Sequence, residues 1–179
     1  MGGSTYALVA DVGRGADMRW FLDTEFAEDG ERIRLISLAL VSERDDRFYR
    51  VLSDGWSVDD CNDWVRQHVL PLLPPRGPLW STREQTRKDV TRLLMRDGTP
   101  EIWADYGSYD WVALCQLFGT MMDLPSGMPM FVRDLRQEVF RLGVSQWDLP
   151  SRKSAKHDAL EDSLELRDRW VWLTAAHGG

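Results

Sequence analysis

Apolar positions recur at two different periods along this chain, and the change between them divides it. From Arg19 to Leu52 the runs RWFLDTEF, IRLISLALVS and RFYRVL are apolar, partly β-branched or aromatic, and are separated by the turn sequences EDGE and ERDD. Short polar turns between such runs predict an antiparallel three-strand meander. The pattern then becomes helical. Asp59 to Leu70 reads as a helix stopped by Pro71, Pro74 and Pro75. Ser81 to Met95 reads as a second helix, with Ser81 and Glu84 at capping-box spacing and Val90, Leu93 and Leu94 as its apolar side. EIWA (101–104) is a short buried strand, and Asp110 to Phe118 a helix ending at Gly119. MFVRDL (130–135) reads as a strand leading into the short helix RQEVFRL, which Gly143 closes, and a long helix from about Ala155 to Leu173 comes last. A meander followed by alternating helices and strands predicts an α/β class, with a mixed central sheet of antiparallel meander plus parallel strands, flanked by helices.

The length of 179 residues suits one domain, expected over 18–176, while residues 1–17 are rich in Gly and small side chains and read as an N-terminal extension. Cys61 and Cys115 form no C-x-x-C pair, and Cys115 lies in an apolar helical run, which predicts a reduced, buried thiol. No apolar stretch reaches membrane-spanning length, and no basic region followed by a hydrophobic run opens the chain. These features predict a cytoplasmic protein without a membrane partner. The formal net charge of -7 argues against an extended basic face for nucleic acid. Bound divalent cations would reverse the sign locally, so a small footprint, such as one strand end, stays compatible with that charge.

The acids are distributed in a chemically suggestive way. Asp23 and Glu25 lie two apart on a predicted strand, so both face one side, among the bulky Phe21, Leu22 and Phe26. Two carboxylates on a buried face repel each other and resist desolvation, and a divalent cation relieves both costs. D-x-E is short, however, and equally fits a strand that has ended and left both acids in water. Asp110 follows EIWAD and a tight YGSY turn at a helix start, where it serves either as a ligand above the sheet or as an N-cap; Asp105 competes for the first role. His157 lies in the first turn of the last helix or in the loop before it, and Asp162 lies within that helix, near the core boundary set by Leu160, Leu164 and Leu166. Asp158 is a cap for that helix or an alternative ligand. Four carboxylates and one imidazole make up the donor set of two-metal phosphodiester hydrolysis, with hard oxygen ligands for Mg²⁺ or Mn²⁺ and a base for the attacking water.

DTEF, then Y-D-x-x-x-L (Tyr109, Asp110, Leu114), then H-x-A-x-x-D (His157, Ala159, Asp162) resemble the three motifs of DEDDh exonucleases, which have a ribonuclease H-like fold. The stretches FLDTEFAEDGERIRLISLALVSE, WVRQHVLPLLPP, SYDWVALCQLFG, DLRQ and HDALEDS are similar to the polyadenylate-specific 3′-exoribonuclease AS family, over about residues 18–173. The resemblance implies that Asp23, Glu25, Asp110 and Asp162 carry two Mg²⁺ ions, with His157 as general base. It also implies RNA 3′ ends as substrate, nucleoside 5′-monophosphates as product, and a homodimer. For the substrate itself, Phe26 and Tyr109 are candidates to stack on a terminal base, although aromatics at such spacing also build cores. Thr24 is a candidate for the ribose, and Lys156, with Arg152 and Lys153, for a phosphate. Arg83, Arg87, Lys88, Arg92 and Arg96 read as a solvated helix face paired with Glu84 and Asp89. The rival readings are a DEDDh exonuclease acting on DNA ends or short oligoribonucleotides, and a catalytically silent RNA-binding module on the same fold.

Overall fold

Strands β1 (Arg19–Glu28), β2 (Ile33–Ser42) and β3 (Arg47–Leu52) form the expected meander in a computed structural model that describes residues 18–152 and 156–177. The extension expected at 1–17 lies outside the described residues. The first turn closes because Asp29 Oδ1 accepts from the backbone N–H groups of Glu31 (2.9 Å) and Arg32 (2.7 Å), with Gly30 at φ +86°. Three short strands complete the sheet: β4 (Trp80–Ser81), β5 (Glu101–Ala104) and β6 (Arg133–Asp134). The order is β4-β3-β2-β1-β5-β6, with β5 parallel to β1, β6 parallel to β5 and β4 parallel to β3. The sheet is therefore mixed, as the pattern predicts.

β1 is central and covered on both faces, so Trp20, Phe21 and Leu22 are all fully buried. Trp20 and Leu22 pack with residues of α2 (Arg83–Leu94) and α3 (Ser108–Phe118), among them Val90, Trp111 and Leu114. Phe21 instead packs with Leu135 and Val139 of α4 (Leu135–Leu142) and with Leu166 and Leu173 of α5 (Ala159–His177). Burying a side chain such as Phe21 contributes about 1.5–3 kcal/mol. The register between β1 and β2 steps between Glu25 and Phe26, which face Ser37 and Leu35 and leave Ile36 over on β2. Such a bulge bends the pair and re-aims its side chains, and here it falls at the end of the Asp23–Glu25 motif.

Element boundaries depart from the sequence reading in several places. The segment 59–70 is not one helix: Asn62 accepts from Val65 N–H at 2.9 Å and caps a short α1 (Asp63–His68), with 3-10 turns at Val58–Asp60 and Leu70–Leu72 on either side. α2 is capped by Thr82, which accepts from Gln85 N–H at 3.2 Å, because Ser81 belongs to β4; Glu84 pairs with Lys88 instead. The strand expected over 130–135 shrinks to two residues. Met130 and Phe131 are exposed, and Asp134 caps α4 by accepting from Arg136 N–H (2.8 Å) and Gln137 N–H (3.2 Å). α5 starts at Ala159, later than expected, where Asp158 accepts from Leu160 N–H at 3.0 Å. Among the described residues no helix is long and apolar enough to cross a membrane.

Candidate active site

One cleft of 410 Å³ gathers Asp23, Glu25, Asp110, Asp162 and His157, which stand up to 139 positions apart in the chain. Asp23 and Glu25 sit within β1 rather than beyond its end, and Glu25 is buried, so the reading in which both acids are wet does not hold. Asp110 arrives with α3 from the Trp20 side of the sheet. It is not the N-cap, a place Gly107 holds, but lies inside the first turn, 7% exposed. Its Oδ1 accepts from Thr24 twice, from the backbone N–H at 2.9 Å and from Oγ1 at 2.6 Å. The strand that displays the two acids thus orients the third. Asp162 and His157 come with α5, and the His157 backbone N–H donates to Asp162 Oδ2 at 2.8 Å. His157 has φ 69°, a left-handed conformation that this hydrogen bond helps to hold.

The electrostatics of this cleft are one-sided. Burial pushes Asp23 well above the usual carboxylate range, and repulsion from Asp110, Glu25 and Asp162 adds to it. Burial, followed by Asp162 and Asp110, pushes Glu25 up to about 8. Burial raises Asp110 to about 6 against the opposing pull of its Thr24 hydrogen bonds. Asp162 is raised by burial too, although the His157 N–H and Lys156 draw it down. Glu25, His157 and Asp162 each offer a donor atom, all within 4.8 Å of one another. Hard oxygen donors that resist ionisation until something positive faces them fit a divalent cation.

The remaining candidates divide. Asp105 lines the cleft but is held by Arg136 (2.9 Å) and Arg169 (3.0 Å), which removes it as a free ligand. Asp158 acts as the cap of α5. Phe26 and Tyr109 stack on each other with centroids 5.6 Å apart and planes 9° from parallel, and both line the cleft. The Thr24 hydroxyl is engaged by Asp110. Lys156 Nζ lies 2.5 Å from Glu165 and 3.8 Å from Asp162. Arg152 pairs with Asp168 at 2.7 Å, and Lys153 lies outside the described residues. Of the cations along α2, Lys88 pairs with Glu84 and Arg92 with Asp89 as the spacing suggests, whereas Arg96 pairs with Asp46 and Asp97 and Arg83 donates to the Gln116 carbonyl.

Sequence reasoning missed Trp64. Its ring meets that of His157 edge to face at 4.6 Å and stacks on His68 at 5.0 Å, forming a wall beside the imidazole. It sits on α1, whose buried residue is its neighbour Val65, and nothing in the local pattern marks it.

A mixed six-stranded sheet with four acids and a histidine gathered in one cleft against its central strand defines a ribonuclease H-like exonuclease. Solved structures share the fold. S. pombe Pop2p in its Mg²⁺- and Mn²⁺-bound form superposes with a TM-score of 0.56 at 10% identity, over 89% of this chain and 84% of that one. E. coli exonuclease I in complex with a dT13 oligonucleotide gives 0.61 at 13% identity, over 89% of this chain and 41% of the other. No family model matches the chain. Two Mycobacterium tuberculosis proteins, the 3′-5′ exoribonuclease Rv2179c of strain H37Rv and the 3′-5′ exoribonuclease MT2234.1 of strain CDC 1551, are each 45% identical to it over 161 residues, 88% of this chain and 94% of theirs. The chain belongs to this family of 3′-5′ exoribonucleases.

Proposed function

We propose that the chain releases nucleoside 5′-monophosphates one at a time from the 3′ end of RNA, with Asp23, Glu25, Asp110 and Asp162 as ligands of two Mg²⁺ ions, for which Mn²⁺ can substitute. The observation that carries this reading is the convergence of those four acids and His157 in one cleft, with Glu25 and Asp110 buried and unwilling to ionise alone. When bound, the ions supply Lewis-acid stabilisation of the charge that builds on the scissile phosphate.

The protein's own groups do the rest. Thr24 fixes the Asp110 carboxylate through its hydroxyl and backbone N–H. Asp162 holds the backbone of His157, and Trp64 walls its ring, so that an imidazole nitrogen accepts the proton of the attacking water. The stacked Phe26 and Tyr109 form an apolar side for the terminal base. Reduced, buried Cys61 and Cys115 suit a cytoplasmic setting.

The test is a ladder assay on 5′-labelled single-stranded RNA and the matching DNA, with Mg²⁺ and with EDTA. We expect single-nucleotide shortening of RNA that EDTA abolishes. Asp23→Ala should reduce it to background while RNA binding persists, and His157→Ala should lower kcat by about 10²–10⁴-fold while cation binding survives. Full cleavage by Asp23→Ala would remove the ligand assignment, and an unchanged rate for His157→Ala would remove the general base.

A further inference from the structure

The cleft continues past its carboxylates. Tyr106 and Tyr109, which line it, also line a second hollow of 530 Å³ whose far side is Arg136, Gln137 and Phe140 on α4. Three aromatic rings lie open there: Tyr106 is 66% exposed, Tyr109 54% and Phe140 88%. α4 buries Leu135 and Val139 against the core, so Phe140 is displayed on the helix side that the core does not need. Tyr106 is also held outward. It adopts φ 57°, and Arg136 lies 4.7 Å over its ring. That guanidinium is itself fixed by two bonds to Asp105, at 3.1 and 2.9 Å.

Charge narrows what this surface can hold. The chain carries a net -7, and Arg136 is tied down by its pair with Asp105. A surface that gripped a polyanion by its phosphates would present unpaired cations, whereas this one presents flat rings, which grip bases of any sequence by stacking. Propped rings also lose little freedom when a base settles on them.

We propose that this shelf seats the bases immediately 5′ of the nucleotide in the cleft, holding an unpaired RNA strand by stacking on Tyr106, Tyr109 and Phe140 rather than by pairing with its phosphates. The inference rests on the exoribonuclease reading above. The occupant follows from continuity: the same two tyrosines wall the cleft and the shelf, so a strand whose 3′ end reaches the carboxylates leaves across them.

The experiment compares wild type, Phe140→Ala and Phe140→Trp on oligoribonucleotides of about two, four and eight nucleotides in Mg²⁺, at low and high KCl, with solution mass measured in parallel. Wild-type KM should fall roughly tenfold as the strand lengthens, a gain that Phe140→Ala mostly loses and Phe140→Trp keeps, with kcat little moved and the gain insensitive to salt. An equal gain in wild type and Phe140→Ala, or a gain that salt erases, overturns the shelf. So does a Phe140→Ala variant that loses a subunit yet keeps the gain, because the ring would then pack against a second copy of the chain. Each of these results still includes trimming of RNA; if wild type trims none, the exoribonuclease reading itself fails and takes the shelf with it.

Discussion

Asp110 shows how much one hydroxyl can decide. Its carboxylate is buried, faces other acids and has Thr24 as its hydrogen-bonding partner. Replacing Thr24 with Val removes the hydroxyl donor without changing the bulk of the side chain. A lost hydrogen bond to a charged, buried group costs about 1.5–3 kcal/mol. Thr24→Val should therefore unfold at lower denaturant and need more Mg²⁺ for half-maximal activity, whereas Thr24→Ser should behave nearly as wild type. Unfolding curves and a Mg²⁺ titration check both, and a Val variant indistinguishable from Ser would show that the backbone N–H alone suffices. The motif acids were legible because carboxylates amid Phe21, Leu22 and Phe26 contradict a simple apolar strand. Trp64 was not legible, since its partner His157 is 93 positions away and only the folded sheet brings them together.

Among elements, the strands followed the sequence most closely. β2, β3 and β5 have the bounds that their apolar runs suggest, and for β2 the turn residues Asp29 and Gly30 fix the start. Helix starts were harder to place because several polar residues compete for each cap. Thr82 displaced Ser81 once the latter paired with β3, and Asn62 divided a segment that reads as one helix. The start of α3 has its own constraint. A Cβ on Gly107 would lie 2.7 Å from the Ala104 Cβ and 3.3 Å from Val132. Its φ of -65° suits any residue, so the restriction is one of space alone. Gly107→Ala should cost about 1–3 kcal/mol by overpacking, and it should depress turnover as well, since the same turn delivers Asp110 three residues later. Denaturation and kinetics on one preparation would check this; loss of stability with unaltered turnover would mean that the strain relaxes away from α3.

For the molecule as a whole, the acidic cleft couples folding to pH. Glu25 titrates near 8 when folded against an ordinary 4.5, and Asp110 near 6 against 3.8. Both are raised, so the stability they contribute is fully present below the ordinary values and drains away as pH rises through the folded ones. In EDTA, Tm should fall between about pH 4.5 and 8. Saturating Mg²⁺ should flatten that decline, adding about 2.7 kcal/mol at a hundredfold excess over its Kd. A metal-free Tm that does not move across this range would count against the repulsion described here. A different lesson comes from Asp105, gripped by Arg136 of α4 and Arg169 of α5 at the carboxyl end of β5. In an exhaustive substitution scan scored by enzyme activity, this aspartate would rank beside the acids of the cleft floor. Scored by abundance, they would part: Asp23 and Glu25 would be tolerated or even favourable to replace, whereas loss of Asp105 would take from Arg136 its carboxylate and from Arg169 one of two, the other being Glu165, and deplete the protein.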